Sequence, residues 1–473
     1  MLKKSGIGRY LNKIMDYSEF QKLKKIPEIG TEMYDMIVKL YPICRSITGD
    51  GVRKTLDIIS EQVPLEKHEI LTGTEVFDWT IPKEWNINDA YVKKSNGEKI
   101  IDFQKSNLHI LNYSVPVHNT VSLSELKDHL FTLPDQPTLI PYRTSYYYEN
   151  WGFCITHKQF LQLEEDEYEV VIDSTLEDGS LSYGEYFIKG ESEDEVLLSC
   201  YICHPSMCND NLSGIVLLTF LAKHLKNLSL KYSYRFLFIP ETIGSIAWMC
   251  RNEHNLKKIK HGLVVTCVGD PGILSYKKSR KGNTEIDQTV IDVLKKSGDD
   301  YKIVDYKPVG SDERQFCSPG FNLPVGSLQR TMYAPEYHTS ADNTNFVQPK
   351  YIADSFSKYF KVILKLEDNF GKFHSKNDEE ELPEIDSEND QVFLNLNPKC
   401  EPKLDKFGVY RKIGAVPRRG KKGNDSLAIL WILNFSDGKH SLRHISLRSG
   451  IDFKQIKQTA ELLHEKKLLK RIL

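Results

Sequence analysis

Near the amino-terminal end apolar residues recur at three- and four-residue intervals: Met33, Met36, Ile37 and Leu40, then Leu56, Ile59 and Val63. Side chains at that spacing share one helix face, so the pattern predicts two helices between residues 30 and 62, with a strand over 65–71. Ahead of them, MLKKSGIGRYLNKIMDYSEF reads as an amphipathic helix. From residue 167 the pattern changes. EYEVVIDSTL and GEYFIKG read as strands, and DEVLLSCYIC is almost continuously apolar, as a strand buried on both faces requires. NLSGIVLLTFLAKHL follows as a helix, YRFLFIP as a buried strand, SIAWMCRNEHNL as a helix and GLVVTCVG as another strand. TEIDQTVIDVLKKSG and YIADSFSKYFKVILKLED add two amphipathic helices. Alternating strands and helices predict an α/β fold: a mixed, parallel-rich sheet covered by helices.

Two segments fall outside this alternation. Between residues 76 and 165, short strand-like pieces alternate with turn residues. Ser95-Asn96-Gly97 gives a hairpin signal inside DAYVKKSNGEKIIDF, and aromatic residues gather in YRTSYYYENWGF. This reads as a small β-rich inserted lid, its aromatic run more in keeping with a packing seam than a binding surface. Residues 369–390 are acidic and polar and read as a linker. The remainder holds DSLAILWILNF, SLRHISLRSG and DFKQIKQTAELLHEKKLL, three helices with a Ser449-Gly450 break, which predict a winged helix-turn-helix with a short wing. The expected domains are a core over 25–75 and 166–370, a lid over 76–165 and a winged helix over 395–473.

Composition changes this picture little. The chain of 473 residues has a formal net charge of −2, so no global charge favours nucleic acid or an anionic membrane as the main partner. No stretch reaches the roughly 18–20 apolar residues of a membrane span, and the first twenty residues lack the apolar run of a signal peptide. Nine cysteines, several in apolar runs, read as reduced core residues, and the cytoplasm is the expected compartment.

The candidate chemistry gathers where predicted strands end. His204 follows DEVLLSCYIC, and Asp210 comes six residues later, ahead of a helix. Glu241 leaves the strand in FIPETIGS, Asp270 follows the strand in VVTCVGDPG, and His338 lies in EYHTSADN with Asp342 nearby. Ligands bind beyond the carboxyl ends of strands in such sheets, and imidazole with carboxylate is a metal-binding donor set. Each residue has a plainer reading: a satisfied polar histidine, a helix cap at Asp210, a turn former at Asp270. Two histidines and three acids at strand ends together favour a metal site. Cys200-Tyr201-Ile202-Cys203-His204 also matches the haem-attachment pattern C-x-x-C-H. A buried strand would point its two thiols to opposite faces, so neither haem nor a cysteine zinc site using Cys208 is expected.

These segments, in this order, resemble the zinc aminopeptidase superfamily of co-catalytic exopeptidases. The match lies in Asp210-Asn211-Leu212-Ser213-Gly214, in Gly310-Ser311-Asp312 with Phe316 and Gly320, and in Tyr337-His338-Thr339-Ser340. CRSITGDGVR, FDWTIPKEW and YYYENWGFC are similar to a bacterial subgroup of aminopeptidase-like proteins with an inserted lid and a carboxy-terminal winged helix, often found in surface-polysaccharide gene clusters. The resemblance implies one or two zinc ions on His204, Asp210, His338 and Asp270. It also implies that Glu241 is the general base for a metal-activated water attacking an amide bond, in a small peptide or an N-acyl metabolite. The family pairs two glutamates, whereas this chain reads Pro240-Glu241-Thr242. If Glu241 is the base, one zinc has lost a ligand; if it is the ligand, the base is missing. Gly244, at the spacing expected after the first glutamate, favours the base. The competing reading is a catalytically impaired scaffold acting as a binding or regulatory protein. There, Lys454, Lys457, Lys466 and Lys467, with Arg418, Arg419, Lys421 and Lys422, could meet phosphates. A solvated helix face or protein-docking module accounts for that charge more simply, so nucleic acid is not the favoured partner. Homo-oligomerisation stays open.

Overall fold

The computed structural model describes residues 26–310, 312–332, 334–373, 390–409 and 424–472. The expected amino-terminal helix, most of the acidic linker, and Ser311, Arg418, Arg419, Lys421 and Lys422 lie outside the described residues. Helices α1 (Ile26–Leu40) and α2 (Asp50–Ser60) bury the predicted faces, with Met33, Ile37 and Leu40 on the first and Val52, Leu56 and Ile59 on the second.

The core is an eight-stranded mixed sheet. Its strands are β1 (Glu66–Leu71), β2 (Ser180–Ile188), β3 (Glu195–Tyr201), β4 (Ser233–Ile239), β5 (Ile259–Val265), β6 (Leu274–Lys277), β7 (Tyr301–Val304) and β8 (Val325–Gln329). They lie in the order β1-β2-β4-β3-β5-β8-β6-β7. The four central strands β4, β3, β5 and β8 are mutually parallel, and antiparallel pairings attach β2 and β6 on either side. All seven residues of β3 are buried, as its continuous apolar run predicts. Helices α3 (Gly214–Leu225), α4 (Ile243–Asn252), α5 (Glu285–Ser297) and α6 (Pro349–Asn369) cover the sheet. Leu217, Leu218 and Leu221 of α3 are fully buried, each contributing about 1.5–3 kcal/mol on removal from water. Strands β6, β7 and β8 have no counterpart among the predicted elements: at four or five residues each, they are too short to show a period.

The insert contains a four-stranded antiparallel sheet ordered Lys99–Asp102, Glu84–Lys94, Glu167–Glu177, Val117–Ser122. Gly97, at φ 86°, turns the predicted hairpin. Glu167–Glu177, assigned from its pattern to the core, pairs in this sheet, with Tyr91 opposite Val171. Its alternating burial is that of a strand with one covered face, unlike the run in β3.

The carboxy-terminal unit has three helices, α7 (Asn424–Phe435), α8 (Leu442–Ser449) and α9 (Phe453–Glu465), and a three-stranded sheet of Asp437–Ser441, Val392–Asn395 and Leu469–Arg471. Gly450, at φ 70°, closes α8, and the Asp452 carboxylate accepts the Lys454 and Gln455 N–H groups to cap α9. This is a winged helix. It docks on the core through the buried Arg280, whose guanidinium donates to Asn434 Oδ1 at 3.0 Å and Asp437 Oδ2 at 2.6 Å. Among the described residues no helix is long and apolar enough to cross a membrane.

Candidate metal centre

Because β3, β4, β5 and β8 run parallel, their carboxyl ends meet at one edge of the sheet, with Tyr201 level with Ile239 and Val265 level with Leu328. The segments leaving that edge carry the candidate side chains. His204 stands three residues beyond β3, buried under Tyr142 of the insert. Asp210, at 1% exposure, lies in the irregular turn that opens α3. His338 arrives from the distant segment before α6.

Three predicted residues converge. His338 Nε2 is 2.9 Å from Asp210 Oδ2, and His204 Nε2 is 3.7 Å from the same oxygen. The donor atoms of His204, Asp210 and His338 all lie within 4.8 Å of one another. Apart from each other, Asp210 Oδ2 and His338 Nε2 have no hydrogen-bond partner, and both are buried. Two such buried atoms aimed at one point, with a third ligand beside them, suit an ion such as zinc. Glu241 borders the group, with Oε2 3.5 Å from His204 Nε2, and remains about one-third exposed. It faces a cleft also lined by Tyr201, Thr266, Cys267 and Tyr337. Cys203 forms a second close group with His204 and Glu241, and its sulfur accepts the Glu241 N–H.

The electrostatics are shaped by burial and its neighbours. Burial disfavours the Asp210 charge, yet His204, His338 and the Tyr201 hydroxyl hold the carboxyl down at about 2. Burial depresses the His204 imidazole, which favours the neutral form a metal needs. Burial raises Asp342 to about 8, and burial with the nearby Glu241 charge does the same for Asp312.

Asp270 is not brought into the cluster. Its Oδ1 accepts from Gly272 N–H at 2.7 Å and Thr331 Oγ1 at 2.5 Å, and its Oδ2 accepts from Asn209 Nδ2 at 3.0 Å. Fully satisfied in its own turn, it braces Asn209, the neighbour of Asp210. The residues that β5 delivers beside Asp210 are Thr266 and Cys267, the latter with Sγ 4.0 Å from Asp210 Oδ1.

Several residues missing from the candidate ligand set hold the site together. Asp342 accepts the N–H groups of Asn209 at 2.6 Å and Asp210 at 2.9 Å. Asp312 accepts the Thr242 N–H at 2.8 Å and the Ser245 hydroxyl at 3.0 Å, fixing the Glu241 turn. Tyr201 donates to Asp210 Oδ1. The fully buried Arg45, within CRSITGDGVR, donates to the carbonyls of His204 at 2.7 Å, Leu40 at 2.8 Å and Pro205 at 2.8 Å. The aromatic run of the insert packs over the site: Tyr142 lies 5.2 Å from the His204 ring and edge-on to His338, and donates its N–H to the His338 carbonyl. No pattern in the sequence marks such contacts, which join residues as far apart as Tyr142 and His338.

A family described as a domain of unknown function (DUF4910) matches residues 34–369, and one described as winged helix-turn-helix matches residues 391–471. A Clostridium acetobutylicum protein, named provisionally for polysaccharide biosynthesis and an aminopeptidase-like domain, is 55% identical over 94% of this chain and 97% of its own. The crystal structure of a Clostridium acetobutylicum protein named provisionally as a peptidase superposes with a TM-score of 0.73, at 53% identity over 96% of this chain and all of that one. A zinc aminopeptidase from Bacillus subtilis shares the core fold at 13% identity, with a TM-score of 0.53 over 72% of this chain and 94% of that one.

Proposed function

The chain belongs to the family of the domain of unknown function (DUF4910), and from that premise we propose that it is a metal-dependent hydrolase of amide bonds. The reading rests on one observation: the donor atoms of His204, Asp210 and His338 converge in a buried cluster, where Asp210 Oδ2 and His338 Nε2 face each other at 2.9 Å and have no other hydrogen-bond partner. These three residues would hold zinc. Zinc on such donors supplies Lewis acidity toward a carbonyl and makes a water more acidic. Glu241, beside the ligands and open to the cleft, takes the proton from the attacking water and passes it to the leaving amine. Tyr142 of the insert packs against both histidine rings and helps to keep bulk water from them. The aminopeptidase-like name of the Clostridium relative and the zinc aminopeptidase fold support an amide substrate. On this reading the substrate is a small peptide or an N-acyl metabolite.

Metal analysis of protein purified without chelator is expected to give about one zinc per chain, lost in Asp210→Asn and in His338→Ala. Glu241→Gln should keep the metal and lose about 10²–10⁴-fold in turnover of an aminoacyl or N-acyl amide. Metal-free wild-type protein, or full turnover by Glu241→Gln, would sink the proposal.

A further inference from the structure

The cleft that Glu241 lines with Tyr201 and Thr266 is also lined by a buried ion pair. Lys277, the last residue of β6, is 2% exposed and donates its ammonium to Glu313 and, at 2.6 Å, to the Val309 carbonyl. Glu313 is 5% exposed and comes from the short helix Asp312–Phe316. Both side chains line the cleft, with Gln329 and Thr331. At Gly310 (φ 88°) a Cβ would stand 2.3 Å from a Glu313 oxygen and 3.1 Å from Lys277 Nζ, so the backbone passes the pair where only glycine fits.

A pocket for an apolar side chain has no use for such a floor. Burying two charges is costly and adds little net stability, and unlike the Arg280–Asp437 joint this pair lines the cleft that Glu241 also lines, where a ligand can use it. An ammonium has three donors, and two are occupied here; a carboxylate offers about four acceptor sites. The pair therefore presents a donor beside acceptors, the complement of a hydroxyl or an amide. A ligand carboxylate would face Glu241 and Glu313 with Lys277 alone in favour. Lys277 and Glu313 already neutralise each other, so a ligand ammonium beside them would have to compete with Lys277 for Glu313, whereas a neutral polar group can bond to the pair without breaking it.

We propose that this cleft is a specificity pocket for a neutral, hydroxyl- or amide-bearing group on the substrate, read by Lys277 and Glu313. The inference rests on the hydrolase reading, since it takes Glu241 to mark the reacting end of the cleft. Such a group could be the side chain of a polar amino acid or the hydroxyls of a sugar.

The test is calorimetric titration of the zinc-loaded full chain with L-serine hydroxamate, N-acetylglucosamine and L-leucine hydroxamate. At least one of the two polar probes should bind tenfold or more tightly than the leucine probe, and whichever does so identifies the source. The paired substitution Lys277→Met with Glu313→Leu leaves no lone buried charge and should fold. It should remove that preference while leaving the zinc content unchanged. Equal or tighter binding of the leucine probe, binding of none, or an undiminished preference in the paired variant would overturn the proposal. Zinc content of the same samples reads the metal site independently, so a failed pocket and a failed metal centre give different results.

Discussion

Arg45 is expected to hold the His204 segment, and its removal can be worked through from the contacts. Arg45→Met keeps a side chain of similar length and deletes three charged donors. The carbonyls of Leu40 and Pro205 each keep a second donor, Ile43 N–H at 3.1 Å and Met207 N–H at 2.7 Å. The His204 carbonyl has Arg45 as its donor and is left buried without one. An orphaned buried acceptor costs about 1–3 kcal/mol, and the two other lost bonds, whose carbonyls keep a second donor, add about 1 kcal/mol each. Burial of the guanidinium, which lowers Arg45 to about 10, is relieved in the variant and offsets part of this. The net loss should be about 2–4 kcal/mol, large against a typical stability of 5–15 kcal/mol. The freed segment carries a proposed ligand, so zinc affinity should also fall about 10–100-fold, as for other residues that orient metal ligands. Arg45→Lys should recover part of both, because one ammonium can reach the His204 carbonyl but cannot span all three. Urea unfolding followed by tryptophan fluorescence reads the first quantity and competition with a chelator the second. A loss below about 0.5 kcal/mol with zinc affinity unchanged would refute the role.

Asp342→Asn replaces an acceptor of two N–H groups by an amide that can turn a donor toward them; zinc affinity should drop about tenfold or more, read by the same competition. Arg280→Ala removes the buried joint to Asn434 and Asp437, and limited proteolysis should release the winged helix from the core faster than in wild type. Burial raises Glu285 to about 7 and lowers its neighbour His261, 3.5 Å away, to about 4. Stability from protonated Glu285 is present below the unfolded value of about 4.3 and lost as pH rises through 7, whereas that from neutral His261 is present above about 6.5 and lost as pH falls through 4. Glu285→Gln leaves only the second slope, so its melting temperature should fall more than wild type's from pH 8 to pH 5; equal falls would refute the assignment.

The parts of the fold legible in the sequence are those with a long period. The runs of β3, β4 and β5 and the faces of α1, α2 and α6 announce themselves because burial on one or both sides repeats over seven or more residues. His204 and Asp210 were legible because they follow such a strand within nine residues of its end. His338 has no neighbouring period to mark it; the polar turn EYHTSADN with Asp342 close by singles it out, and the resemblance of Tyr337-His338-Thr339-Ser340 to a family motif adds to that reading. Arg45, Asp342 and Lys277 act through contacts across 159, 132 and 36 residues, and local spacing carries no trace of those. The insert's last strand was misplaced for a related reason: alternation states that one face is covered, without saying which sheet covers it.

The replacement of the second glutamate by Thr242 and the displacement of Asp270 from the centre are two sides of one arrangement. A carboxylate that bridges two ions must offer one oxygen to each. Here Asp210 Oδ1 is taken by the Tyr201 hydroxyl, which also bonds Thr266 Oγ1 at 2.6 Å, and has Cys267 as its further neighbour. Only Oδ2 turns toward the histidines. A second ion on the Oδ1 side would need ionised ligands, yet the end of β5 supplies Thr266 and Cys267, whose thiol burial holds in the protonated form, while Asp270 is spent on Thr331, Gly272 and Asn209. The Thr242 N–H is held by Asp312, so that turn too ends in a hydrogen bond and not in a free carboxylate. On the hydrolase reading these substitutions favour one ion over two: Tyr201 keeps Asp210 oriented from the side a second metal would have held, and leaves Glu241 free as the base.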